Sequence, residues 1–284
     1  MPDVLAPPPT LQITGLKKSY VVRRDLLGRV TQRFEAVKGV DLSVDAGQTL
    51  AVVGESGAGK STVGRLALRL IDPDEGDIRV LGEDITGLGR PALKRIRARA
   101  TMIFQDPYKS LDPKCTIRYS LNEPMIAQNI GERDERDAKV DALIERVGLS
   151  AGHLDRYPYE MSGGQLQRVA IARALTTDPE LVVCDEPVAA LDMSIRAQVI
   201  NLLREIQAER GLAYLFVTHD LSLVRVIADR VAVMRSGLIV ENRPTGELFD
   251  QPTQDYTRTL LSAIPAAHPR DRTFTRRSAP SDSR

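Results

Sequence analysis

The run Gly54-Glu-Ser-Gly-Ala-Gly-Lys-Ser-Thr62 limits what this chain can fold into more than any other segment does. It sits between a compact apolar stretch, residues 49–53, and a helical pattern that continues through Leu70. Glycine, four residues of any kind, glycine, lysine and then serine or threonine is the phosphate-loop pattern. Such a loop needs a strand behind it and a helix ahead of it, and both patterns are present. Glycines let backbone N–H groups converge on one anion, and the positive end of the following helix adds to their field. The spacing assigns Lys60 to the outer phosphates and the Ser61 hydroxyl to a magnesium ion. Gly54, Glu55, Ser56, Gly57, Ala58, Gly59, Lys60, Ser61 and Thr62 are therefore the candidate phosphate-binding residues.

The rest of the pattern supplies a frame for that loop. Residues 11–16 and 36–44 have strand patterning, and the charged segment 23–33 between them, which contains Gly28, reads as a loop. From Pro91 to about Arg156 the period turns helical, with Val140, Leu143, Ile144 and Val147 on one face. This predicts an inserted helical subdomain over about 91–164. Residues 181–184 and 214–217 are short buried-type strands, separated by a helix on which Ile195, Val199, Leu202, Leu203 and Ile206 share one face. Strands at 230–234 and 238–242 and a helix at 254–263 follow. Strands alternating with helices predict an α/β fold with a mostly parallel sheet covered on both faces.

Composition removes several function classes. A net charge of +1 over 284 residues gives no basic footprint for a nucleic acid. No apolar run approaches the roughly 20 residues needed to cross a bilayer. Residues 1–10 are proline-rich, read as flexible, and lack the basic start and apolar core of a signal peptide. Cys115 and Cys184 match neither a disulfide framework nor a metal spacing and read as reduced thiols. The expected location is cytoplasmic. Residues 266–284 are polar and arginine-rich, and are expected to be disordered.

Two further segments point to phosphate chemistry. The strand at 181–184 delivers Asp185 and Glu186 to its carboxyl end, where open α/β sheets place ligands. Asp185 is suited to hold magnesium, and Glu186 to orient and deprotonate an attacking water. His219, after the next strand, could hydrogen-bond a γ-phosphate. His153 and His268 sit in no such frame. Ser162, Gly163, Gly164 and Gln165 open another helix and so form a second anion-binding helix start. One loop already surrounds the phosphates, so the simplest use of this second start is in trans, across a dimer.

With these motifs in place, the chain resembles the ATP-binding-cassette family of nucleotide-binding subunits over about residues 11–234. The family's signature matches Ser162-Gly-Gly-Gln165, with Met161 where leucine is commonest. The resemblance implies a phosphate-loop NTPase core, an N-terminal antiparallel β subdomain and the inserted helical subdomain, together forming a cassette over 11–250. It also implies roles. Gln105, in Phe104-Gln-Asp-Pro107, would contact magnesium or water and sense a transmembrane partner. Asp192, in Ala190-Leu-Asp192, would touch the opposing subunit, with Ala189 where many relatives carry serine. Tyr20 would stack on adenine, with Phe34 as its competitor. The segments Gln105-Asp-Pro-Tyr-Lys-Ser-Leu-Asp-Pro113 and Tyr256-Thr-Arg-Thr-Leu-Leu-Ser-Ala-Ile-Pro265 resemble the oligopeptide/dipeptide importer branch, which makes 251–265 a branch-type extension. No cysteine follows Cys184, which excludes the iron–sulfur cluster of some branch members. The implied activity is ATP hydrolysis with magnesium, catalysed by Glu186, His219 and Lys60. The implied setting is the cytoplasmic face of a membrane, where the chain would be peripheral. Its partners there would be permease subunits, a second ATPase subunit and an extracytoplasmic solute-binding protein, with peptides as the solute and nickel, glutathione or sugars as alternatives.

Overall fold

Side chains on the short strands alternate between two buried faces, and that alternation sets the architecture. The computed structural model describes residues 8–25 and 28–263. It begins with β1 (Leu11–Arg24), β2 (Val30–Val44), β3 (Thr49–Val53), α1 (Lys60–Ala67), β4 (Glu75–Val80), β5 (Glu83–Asp84) and α2 (Arg90–Arg99). Next come β6 (Ala100–Ile103), α3 (Pro107–Ser110), α4 (Ile117–Gln128), α5 (Arg133–Arg146), α6 (Gly163–Leu175) and β7 (Leu181–Asp185). The chain continues through α7 (Met193–Arg210), β8 (Ala213–Thr218), α8 (Leu221–Ile227), β9 (Arg230–Arg235), β10 (Leu238–Pro244), α9 (Thr245–Asp250) and α10 (Asp255–Ser262).

A six-stranded sheet runs in the order β10-β9-β3-β8-β7-β6, parallel in every pairing except the β10–β9 hairpin. On β7 and β8, Val182, Cys184, Tyr214 and Phe216 face a core shared with α4–α7. Leu181, Val183, Leu215 and Val217 face the opposite core, with α1 and the second sheet. Ala51, Val53, Val231 and Val233 pack under α8 and α9. Strands buried on both faces read as continuous apolar runs, which is why 49–53 and 181–184 show no polar alternation. The second sheet, β2-β1-β4-β5, is antiparallel throughout.

Three expectations from the sequence are corrected. Residues 23–33 are not simply a loop: β1 runs to Arg24 and β2 begins at Val30, paired as Arg23↔Gln32 and Arg24↔Val30. Strand ends that face solvent carry no alternation signal, and Arg23 and residues 30–33 are exposed. The helical pattern from Pro91 is interrupted by β6, whose four residues pair with β7. It follows α2 without a turn residue, so no break announces it. Helix α1 ends at Ala67, short of Leu70. The helix expected at 254–263 is α10, Asp255–Ser262. Residues 1–7 and 264–284, including His268 and the tail expected to be disordered, lie outside the described residues.

Asp74 holds the middle of β1, just before Tyr20. Its carboxylate accepts from the Ser19 N–H at 2.7 Å, the Ser19 hydroxyl at 2.8 Å and the Lys18 ammonium at 2.8 Å. The Lys18 hydrogen bond is the largest influence, desolvation opposes it, and the Ser19 hydrogen bonds add to it, drawing the carboxyl down to about 2. A lowered folded-state pKa contributes stability above the ordinary value of 3.8, and that stability is lost as pH falls toward about 2. Asp74→Asn should therefore cost about 0.5–1 kcal/mol near neutral pH, in the range of a partly exposed ion pair. Thermal melts taken on an acid titration should fall less steeply for the variant than for the wild type over that window.

Candidate functional site

The backbone of the loop is shaped by contacts that only glycine permits. Gly54, Gly57 and Gly59 have φ of 151°, 81° and 106°. A Cβ on Gly54 would lie 2.1 Å from the Met234 carbonyl oxygen, and one on Gly59 2.2 Å from that of Ala36. Gly57 has open space around it. Lys60 is 5% exposed, and its ammonium donates to the carbonyls of Gly54 and Glu55, both at 2.8 Å. Burial pulls its pKa down against the fields of Glu186 and Asp185.

Across from the loop, the Ser61 hydroxyl donates to Asp185 Oδ1 at 2.7 Å. Asp185 is 1% exposed. Burial pushes its carboxyl up, opposed by the Ser61 hydrogen bond and by Arg65. Ser61 and Asp185 thus offer two hard oxygen donors side by side. Gln105 Nε2 donates to Glu186 Oε2 at 3.0 Å, leaving the Gln105 Oε1 as its acceptor. His219 Nδ1 lies 3.0 Å from the other Glu186 oxygen. The Glu186 carboxylate is therefore clasped from both sides. Its backbone has φ 48°, an uncommon left-handed conformation for a side-chain-bearing residue, and its N–H donates to Val217 O at 2.9 Å.

Sheet register assembles this group. Ile103 pairs with Cys184, Asp185 with Val217, and Val53 with Thr218. The residues just beyond β6, β7, β8 and β3 are consequently neighbours at one edge, which brings Gln105, Glu186, His219 and the loop together. They border one cleft of about 480 Å³, which Ser56, Gly57, Gly59, Ser61 and Thr62 also line. Gly54, Glu55 and Ala58 form the back of the loop. Tyr20 and Phe34 pair across β1–β2, and both border the cleft. The two aromatics weighed against each other in the sequence are thus opposite partners at one wall, and the 23–33 segment lies beyond them.

The second helix start is set apart from this cleft. Ser162 caps α6: its hydroxyl accepts from Gln165 N–H at 3.3 Å, while Gln165 Oε1 accepts from Ser162 N–H at 2.9 Å. His153, given no role from sequence, lies 3.2 Å from Gln165 Nε2. Asp192 is the N-cap residue of α7 and is exposed. Arg196 is a residue that sequence reasoning missed. Its guanidinium donates to Asp220 Oδ2 at 2.9 Å and to Leu191 O at 3.2 Å, tying the loop before Asp192 to the residue after His219. No motif marks an arginine in an otherwise ordinary helix.

A parallel sheet, a glycine loop at a helix start, a buried lysine and paired carboxylates at the strand ends define a phosphate-loop nucleotide-binding domain. The profile of the family described as ABC transporter matches residues 37–189. The glutathione import ATP-binding protein GsiA of Pectobacterium atrosepticum is 48% identical over 92% of this chain and 42% of its own length. The chain thus spans about two fifths of that relative. The oligopeptide transport ATP-binding protein AppF of Bacillus subtilis is 48% identical over 92% of this chain and 79% of its own length. Among solved structures, a dimeric post-hydrolysis state of the ATP-binding cassette MJ0796 bound to ADP and Pi superposes with a TM-score of 0.74, at 27% identity over 83% of this chain and 98% of that one. The chain belongs to the ABC transporter family.

Gly59→Ala should remove nucleotide binding, because the new methyl cannot fit beside the Ala36 carbonyl in the present backbone. The same strain should cost about 1–3 kcal/mol of folding stability. Calorimetric titration with ATP and a denaturant melt would check both.

Proposed function

We propose that this chain is the ATP-hydrolysing subunit of an importer, and that Glu186 is its catalytic base. The observation that carries this reading is the Glu186 carboxylate held at 3.0 Å by both Gln105 and His219, facing the loop that ends at Lys60. A base must be aimed before it can accept a proton, and two hydrogen bonds aim it. Glu186 takes a proton from water as that water attacks the γ-phosphorus in line and the bond to the bridging oxygen breaks, ADP leaving with that oxygen, and His219 orients the carboxylate and reaches the γ-phosphate. Lys60 exchanges its bonds to Gly54 and Glu55 for phosphate oxygens. Tyr20, with Phe34 opposite, receives the adenine.

Ser61 and Asp185 suit magnesium, which takes one or two protein oxygens and completes its shell with phosphate and water. Bound there, the ion neutralises phosphate charge; Gln105 Oε1 is a third candidate donor.

The α6 start at Ser162–Gln165 acts in trans, on nucleotide held by a second ATPase subunit, with Asp192 at that contact. The names of AppF and GsiA support import of oligopeptides, with glutathione as the second reading. On this reading the chain sits at the cytoplasmic face of a membrane with permease subunits and an extracytoplasmic binding protein. No described helix is long and apolar enough to cross a membrane.

Glu186→Gln should lower hydrolysis by about 10²–10⁴-fold in the assembled complex while ATP still binds. Near-normal turnover would remove Glu186 from the reaction. On the same background, Ser162→Arg should keep the ATP affinity of the isolated chain yet abolish the ATP-dependent dimer in size-exclusion chromatography. A dimer that persists in that variant would remove the trans assignment.

A further inference from the structure

The segment that begins at Tyr256 resembles an importer branch, yet nothing in the nucleotide chemistry above uses it. Its first residue nevertheless reaches the phosphate loop. The Tyr256 hydroxyl accepts a hydrogen bond from the Glu55 backbone N–H at 3.3 Å. The Arg235 guanidinium lies 4.7 Å from the centre of the Tyr256 ring, and the ring packs against the core beneath β3 and β9. Arg235 directly follows Met234, whose carbonyl leaves no room for a side chain at Gly54. A little further on, the Gly237 N–H donates to Ala58 O at 3.0 Å. The back of the loop is thus held at both ends by residues from β9 onward.

The peptide unit joining Gly54 to Glu55 is held at both of its polar atoms. Its carbonyl accepts from Lys60, and its N–H donates to Tyr256. When Lys60 turns to a phosphate, the first of these bonds is given up. The second stays, because Tyr256 approaches from the back of the loop and does not border the cleft. A peptide free to flip at that moment would carry the following residues with it, and converging N–H groups bind an anion well only while their directions stay set.

We propose that Tyr256 is a positioning residue for phosphate binding: its hydroxyl keeps the Gly54–Glu55 peptide oriented while Lys60 engages a nucleoside di- or triphosphate. This rests on the reading that the loop binds nucleotide phosphates. Tyr256→Phe keeps the ring under Arg235 and removes only the acceptor. In the full chain, Kd for MgATP and for MgADP should both rise about threefold to tenfold, the range for one neutral hydrogen bond. The melting temperature without nucleotide should stay within about 1 °C of wild type. Unchanged Kd values would overturn the proposal. So would a large fall in melting temperature, which would make the tyrosine's role structural. A wild-type chain that fails to bind MgATP would instead overturn the nucleotide reading itself.

Discussion

Because Ile103 lies opposite Cys184, Asp185 opposite Val217 and Val53 opposite Thr218, the loops that leave these four strands start about one strand spacing, roughly 4.8 Å, from their neighbours. A slip of one residue in any of these pairings would turn apolar side chains from one core to the other and break the row. Both faces of the sheet are buried, so the register is specified twice, once by each core. The site therefore inherits its geometry from a sheet buried on both faces. Gln105, Glu186 and His219 need no further device to meet.

That placement has an electrostatic cost. Lys60 and Asp185 are both nearly inaccessible, and burial disfavours the charged form of each. Their fields oppose this only in part. Lys60 spends its donors on two loop carbonyls and Asp185 accepts from Ser61, so each charge is hydrogen-bonded in the absence of a ligand. These are bonds that a phosphate and its cation can replace with stronger, charge-assisted ones. On the proposed function, nucleotide binding is then an exchange of partners at groups the protein already holds in place.

The residues that gather at the cleft were more legible in the sequence than the framework was. Residues 54–62, Asp185, Glu186 and His219 each follow an apolar strand, and apolar runs are the strongest signal a single sequence carries. Strand β6 was missed for the opposite reason: Ala100–Ile103 is short, follows α2 without a break, and contains a threonine. The cost of that miss is specific, since β6 is the element that delivers Gln105 to Glu186. The Arg196 bond to Asp220 and the reach of Tyr256 to Glu55 join residues far apart in the chain and leave no local trace. Tyr20 and Phe34 were legible as alternatives; only the cross-strand pairing makes them partners at the same wall.

The start of α6 shows how a residue's cost can indicate its use. Each glycine in a helix interior costs up to about 1 kcal/mol relative to alanine, and α6 opens with two of them. Gly164 has a packing reason, since a Cβ there would meet Ile195 Cγ2 at 2.8 Å. Gly163 has none. Its surroundings are open within 4 Å, and it does not adopt a positive φ. Neither crowding nor backbone conformation demands glycine at that position. The other established use of a glycine is to let a ligand approach the backbone closely. The first N–H groups of a helix lack intrahelical acceptors, and the Ser162–Gln165 capping pair occupies only the N–H groups of Ser162 and Gln165. The amides of Gly163 and Gly164 are therefore the ones offered to an incoming anion. The cleft of the same chain is not bordered by them, which is the geometric ground for proposing that they serve an anion held by another subunit.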